Sequence, residues 1–133
     1  MSFELVEPDN EVFADYVSRF AEYNAGLSGW SMQTFSLVQR DGDRIVAGVR
    51  GHVYLGALEV SGLWLDEDVR GSGLGARLLA SLEAEARRRG ARRATLWTYS
   101  WQAQVFYEKQ GYREYGRFNY PDGHARIDMQ KEL

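Results

Sequence analysis

The sequence predicts an α/β fold of the α+β type, a mixed and mostly antiparallel central sheet with flanking helices, on three observations. Residues 33–40, 44–54 and 57–65 are strand-like runs broken only by short turns at Asp41-Gly42 and Gly56, the pattern of an antiparallel meander. Residues 73–89 carry an amphipathic helical pattern between the third run and an apolar, aromatic run at 92–99. A helix joining two strands makes them parallel neighbours, because the crossover returns the chain to the end of the sheet where it started. Residues 112–118 and 125–131 then read as a closing antiparallel pair across Asn119-Tyr120-Pro121-Asp122-Gly123.

In chain order, Phe3 to Glu7 reads as a short opening strand ended by Pro8. Asp9 or Asn10 is placed to cap a helix whose apolar positions Phe13, Tyr16, Val17 and Phe20 fall at i, i+3, i+4 and i+7, with Gly26 as its stop. The 73–89 helix gathers Leu74, Leu78, Leu79, Leu82 and Ala86 into one buried stripe and ends at Gly90. Its last turns carry Arg87-Arg88-Arg89, with Arg92-Arg93 beyond; these cations offset the negative end of the helix dipole. Glu83 with Arg87 and Glu85 with Arg89 are spaced i,i+4, as pairs on a solvated face. Ser100 is placed to cap a short helix from Trp101 to Gln110, which Gly111 stops.

Composition narrows the function. A chain of 133 residues with 44% apolar and 26% charged residues, without repeats or linkers, is expected to be one domain over residues 1–133. No apolar run approaches the ~20 residues that span a bilayer. The opening Met1-Ser2-Phe3-Glu4 lacks the basic and apolar parts of a secretory signal. A soluble, cytoplasmic protein with no membrane partner is expected. The absence of cysteine removes disulfides and thiol nucleophiles, and His52 and His124 have no metal-ligand spacing, so no metal is expected. A formal net charge of −3 argues against nucleic acid as a partner. No G-x-S-x-G elbow is present, which disfavours a serine hydrolase.

The densest signal is Val69-Arg70-Gly71-Ser72-Gly73-Leu74-Gly75-Ala76-Arg77, where glycine-rich backbone runs straight into the amphipathic helix. Glycines let a backbone turn tightly and approach a ligand, while the unpaired N–H groups at a helix start favour phosphate. An NTPase P-loop needs Lys-Ser/Thr after its last glycine, yet the only lysines are Lys109 and Lys131. A dinucleotide fingerprint needs an acidic residue about 20 positions on. No carboxylate lies between Glu85 and Glu108. The remaining pattern is Arg/Gln-x-x-Gly-x-Gly/Ala, matched by Arg70, Gly73 and Gly75, and it is followed downstream by A-x-x-φ-Y-x-x-x-G-[FY], matched from Ala103 through Tyr107 to Gly111 and Tyr112.

Together these two motifs resemble the GCN5-related N-acetyltransferases (GNAT), from about Asp41 to the C-terminus. The resemblance implies a sheet whose parallel pair of strands splays apart, with the pantetheine arm of acetyl-CoA entering the gap. It implies backbone contacts from Leu63, Trp64 and Leu65, with Gly62 marking a bulge. The amides of Arg70, Gly71, Ser72, Gly73, Leu74 and Gly75 would lie on the pyrophosphate, beside the cations of Arg70 and Arg77. Ser100 stands where many relatives have an Asn that contacts pantetheine, and a hydroxyl keeps only part of that bonding.

An alkyl ammonium has a pKa near ~10.4, so attack on a thioester requires removal of a proton. Glu59, on the strand that leads into the gap, is the residue the resemblance offers as base; the same glutamate also fits an outward position on an alternating strand. Tyr107 corresponds to the family tyrosine that protonates the leaving thiolate. The acceptor site is expected from Tyr23, Asn24, Trp30, Tyr99, Tyr120 and His124, an aromatic wall suited to a ring or a cation. The function implied is N-acetylation of a small-molecule amine, with acetylation of a protein lysine or N-terminus, or a non-catalytic acyl-CoA sensor, as alternatives. A homodimer is compatible with the family.

Overall fold

The computed structural model describes residues 2–28 and 31–133, which group into two compact units, residues 1–31 and 32–133. The first unit holds α1 (Glu11–Ser28). Its start is capped by Asn10, whose Oδ1 accepts the Val12 amide at 2.8 Å. Along its apolar face the rings of Tyr16 and Phe20 stack with centroids 6.4 Å apart. Two expectations fail here. Residues 3–7 form no strand, because no ladder pairs with them. Gly26 does not stop the helix, which continues to Ser28; an interior glycine costs only about 1 kcal/mol relative to alanine.

The second unit is a six-stranded mixed sheet with two helices. Along the chain come β1 (Gln33–Asp41), β2 (Arg44–Tyr54), β3 (Ala57–Leu65), one 3₁₀ turn (Glu67–Val69), α2 (Leu74–Arg88), β4 (Arg93–Tyr99), α3 (Gln104–Lys109), β5 (Arg113–Asn119) and β6 (Ala125–Glu132). The strand order is β1-β2-β3-β4-β6-β5, antiparallel throughout except for β3 with β4. The meander, the parallel pair and the closing hairpin therefore stand as the sequence predicts, with ends shifted by a residue or two.

The core lies between α2 and one face of the sheet. Leu78, Leu79, Leu82 and Ala86 pack on Val49, Val53, Leu58 and Val60, all buried. Alternation along β2 and β3 leaves Arg50, His52, Glu59 and Ser61 on the opposite face. Gly51 makes room for the leucines between sheet and helix, since a Cβ there would lie 2.9 Å from Leu58 Cδ1 and 3.2 Å from Leu82 Cδ1.

The basic end of α2 differs from expectation. Glu85 pairs with Arg88 at 2.7 Å and Arg89 at 3.5 Å. Glu83 does not pair with Arg87. It is buried, accepting the Tyr112 hydroxyl at 2.7 Å and the Lys131 ammonium at 2.9 Å. A carboxylate on the apolar side of a helix needs partners from distant strands, and β6 and the segment before β5 supply them. Ser100 caps no helix either. Its Oγ accepts the Ala125 amide at 3.0 Å, tying the end of β4 to the start of β6. The turn before α3 is held instead by Gln102, whose Oε1 accepts the Tyr99 amide at 2.9 Å, and by Thr98, whose Oγ1 accepts the Ala103 amide at 3.3 Å. α3 accordingly begins at Gln104, three residues after Trp101.

Candidate functional site

The parallel pair is joined for only three residues, Ala57–Glu59 against Arg93–Thr95. Beyond that point β3 and β4 diverge, so a sheet that is continuous elsewhere opens into a seam. On β3 the divergence coincides with a bulge. Arg50 pairs with Ser61 but Gly48 with Trp64, which leaves Gly62 and Leu63 as the extra length, and Gly62 takes φ 64°. The resulting cleft, about 760 Å³, runs between Val60–Leu63 on one side and Trp97–Tyr99 on the other, with Tyr107 and Ala103 of the α3 region along it. A volume of this order suits an organic ligand.

The cleft continues past Leu63, Trp64 and Leu65 to the glycine loop, where Arg70, Gly71, Gly73 and Gly75 line it opposite Phe106 and Tyr107. Gly71 and Gly73 have φ 78° and 79°, conformations that other L-residues rarely hold, and Gly73 is the N-cap of α2. The amides from Gly71 through Ala76 have no hydrogen-bond partner among the described residues, whereas the Arg70 amide, expected among the donors, is taken up by the Glu67 carbonyl as the 3₁₀ turn closes, and the Arg77 amide by the carbonyl of Gly73. Six consecutive free donors at the positive end of a 15-residue helix fit an anionic group. The two flanking cations are held near this loop. Arg70 Nε donates to the Leu65 carbonyl at 3.0 Å, and Arg77 Nη1 to the Ser72 carbonyl at 3.3 Å. Ser72 turns its own hydroxyl to the Val69 carbonyl at 2.7 Å, so only its backbone amide is available.

Tyr107 lines both parts of the cleft. Its ring packs edge-on against Phe106 and Tyr112, while its hydroxyl has no hydrogen-bond partner among the described residues. Burial pushes this phenol up from its ordinary pKa, so it keeps its proton through the neutral range. Glu59 lies outside the lining of the cleft. It sits at the last paired position of the seam, and its Oε2 accepts the Tyr54 hydroxyl at 2.9 Å. Ser100 is likewise outside the lining, occupied by Ala125.

Of the residues expected to bind an acceptor, Tyr99, Tyr120 and His124 meet in one open pocket of about 550 Å³ with Trp101 and Asp122. Tyr99 and Trp101 stack with centroids 4.5 Å apart and planes 1° from parallel, and His124 meets Trp101 edge-on at 4.9 Å. Tyr99 and Trp101 also line the cleft, so the two cavities adjoin. Tyr23 and Asn24 lie on α1 in the other unit, and Trp30 lies outside the described residues. Sequence reading missed Ser61, Trp97 and Gln102. The first two follow β alternation on the face opposite α2, a signal that becomes legible only once the register is known.

A family model described as an acetyltransferase (GNAT) domain matches residues 3–133. The blasticidin-S acetyltransferase of Streptomyces morookaense is 40% identical over 91 residues, 67% of each chain. The crystal structure of an acetyltransferase from Bacillus cereus superposes with TM-score 0.82 at 34% identity, covering 98% of both chains. An aminoglycoside 6'-N-acetyltransferase solved with coenzyme A shares the fold, with TM-score 0.65 at 20% identity over 99% of this chain and 97% of its own.

Proposed function

The chain belongs to the GNAT acetyltransferase family, and from that premise we propose that it carries the acetyl group of acetyl-CoA to the primary amine of a small molecule. The observation that carries this reading is the seam between β3 and β4, which runs from six unpartnered amides at the start of α2 to a protonated, unpartnered phenol at Tyr107. Acetyl-CoA, when bound, supplies an acetyl group activated as a thioester. The protein's part is to hold and orient it. The amides of Gly71 to Gly75 and the cations of Arg70 and Arg77 take the pyrophosphate; the edge of β3 at Leu63, Trp64 and Leu65, which β4 no longer pairs, takes the amide-containing arm as a further strand would be taken. Tyr107 then meets the departing sulfur as a hydrogen-bond donor and returns a proton to it.

The acceptor is assigned to the aromatic pocket of Tyr99, Trp101, Tyr120 and His124, because it adjoins the cleft and includes the carboxylate of Asp122. Aromatic faces and a carboxylate favour a cationic amine that carries a ring. The blasticidin-S acetyltransferase among the relatives supports a small molecule of this kind, and blasticidin S is the first compound to try. The test is a mass-shift screen of blasticidin S and an amine library with acetyl-CoA. Acetylation of a small amine with stoichiometric release of thiol is expected; tight acetyl-CoA binding with no turnover of any amine would make the protein an acyl-CoA sensor instead.

A further inference from the structure

We propose that His52, acting through the hydroxyl of Ser61, takes the proton that the incoming ammonium must lose, an assignment that rests on the acetyl-transfer reading. Ser61 stands two residues beyond the last rung of the parallel ladder and lines the cleft. His52 Nε2 lies 3.3 Å from its Oγ, and on the far side of the ring Nδ1 lies 2.9 Å from Thr34 Oγ1. Thr34, His52 and Ser61 come from β1, β2 and β3, so three strands build one file of proton-carrying groups that ends in the cleft.

The relay requires one tautomer of the ring. For Nε2 to receive a proton, Nδ1 must carry the other, and Thr34 Oγ1 is placed to accept it. Arg50 Nε donates to Ser61 Oγ at 3.3 Å, which directs the serine's own proton toward His52 and leaves one lone pair for a donor in the cleft. Within the sheet the charged and titratable groups facing His52 are Arg50 and Tyr54 on its own strand and Glu59 directly opposite on β3; its β1 neighbours Thr34 and Ser36 are uncharged. Glu59, bonded to Tyr54, is outside the cleft and offsets the charge of Arg50 and of a protonated His52 without touching substrate.

The step balances. One ammonium proton passes to Ser61 Oγ as the serine proton passes to His52 Nε2, leaving a neutral amine. The amine nitrogen bonds to the thioester carbonyl carbon and the C–S bond breaks. The surplus N–H proton reaches the thiolate through Tyr107, which ends protonated, and His52 gives its proton to water. Amide, thiol and one proton result.

The test compares wild type with His52→Gln, Ser61→Ala and Ser61→Thr, using the first amine acetylated in the screen, from about pH 5.5 to about pH 9. Acetyl-CoA affinity is measured in parallel by calorimetry. His52→Gln and Ser61→Ala should lower kcat near pH 7 by about 100-fold, recovering toward pH 9 as the amine deprotonates unaided. Ser61→Thr should retain most of the activity, and acetyl-CoA affinity should stay unchanged in all three. A His52→Gln profile parallel to wild type would overturn the relay, as would a loss uniform in pH that came with lost acetyl-CoA binding. If wild type itself acetylates no amine, the acetyl-transfer reading fails first and takes the relay with it.

Discussion

Leu55, in the turn between β2 and β3, has φ 52° and an exposed side chain. It precedes Gly56 at φ 78°, the paired positive angles of a tight hairpin turn. The strain of a left-handed leucine is about 1–2 kcal/mol, and no buried contact repays it. Leu55→Gly should therefore raise the urea midpoint, by a stability gain of about 1 kcal/mol after the flexibility of glycine is offset. Tyr107→Phe tests the opposite kind of residue, one to which the proposed transfer assigns a chemical role. It removes a hydroxyl with no internal partner, so thermal stability should hardly move while kcat falls by about 100-fold and acetyl-CoA affinity persists. A normal rate at all pH values would remove Tyr107 from the mechanism. Single residues were legible in the sequence where a motif fixed them, as with Gly73 and Tyr107. They were illegible where cross-strand register decides, as with Ser61 beside His52, because nothing along the chain states which strands face each other.

The elements pack through a few close approaches. At Gly51 an added methyl group meets the side-chain tips of Leu58 and Leu82 at 2.9 and 3.2 Å, and because both leucines are fully buried Gly51→Ala must force them to repack. We expect a loss of about 1–3 kcal/mol, read as a lower midpoint with an unchanged urea dependence. The Tyr112, Glu83 and Lys131 network ties α2 to β6 across the core and adds a pH signature. Burial, and next the charge of Glu83, pushes the Tyr112 phenol far up. The folded state thus keeps a proton that an unfolded tyrosine loses near pH ~10. This contribution is fully present below that pH and declines as pH rises above it. Tyr112→Phe should be less stable at neutral pH by about 1–2 kcal/mol for the lost hydrogen bond, yet fall less steeply than wild type between about pH 10 and about pH 11.5. The helical stripe of Leu78, Leu79, Leu82 and Ala86 was legible from its period, whereas the inward turn of Glu83 was not. At i,i+4 from Arg87 it looks solvated until β6 brings Lys131 alongside.

For the whole molecule, meander, crossover and closing hairpin followed from turn signals and periodicity, and the expected opening strand is the element that has no counterpart, for want of a partner. The seam itself was legible only through the family resemblance, since no local pattern announces that two parallel strands will part company. Its depth has a mechanical consequence. Three rungs are what the ladder between β3 and β4 supplies, so past them β1-β2-β3 and β4-β6-β5 are held side by side by the core under α2 and not by backbone bonds to each other. An extended molecule lying in the gap acts as a splint, completing backbone bonds that the protein leaves unmade. Occupancy and rigidity then rise together. Amide hydrogen exchange should slow by more than about 10-fold over Ser61 to Leu65 when acetyl-CoA saturates the protein, a protection worth about 1.4 kcal/mol for each factor of ten. Unchanged exchange there would mean the ligand sits elsewhere. By the same logic, a rigid strand mimic carrying no nucleotide at all should bridge the two halves of the sheet and compete with the donor.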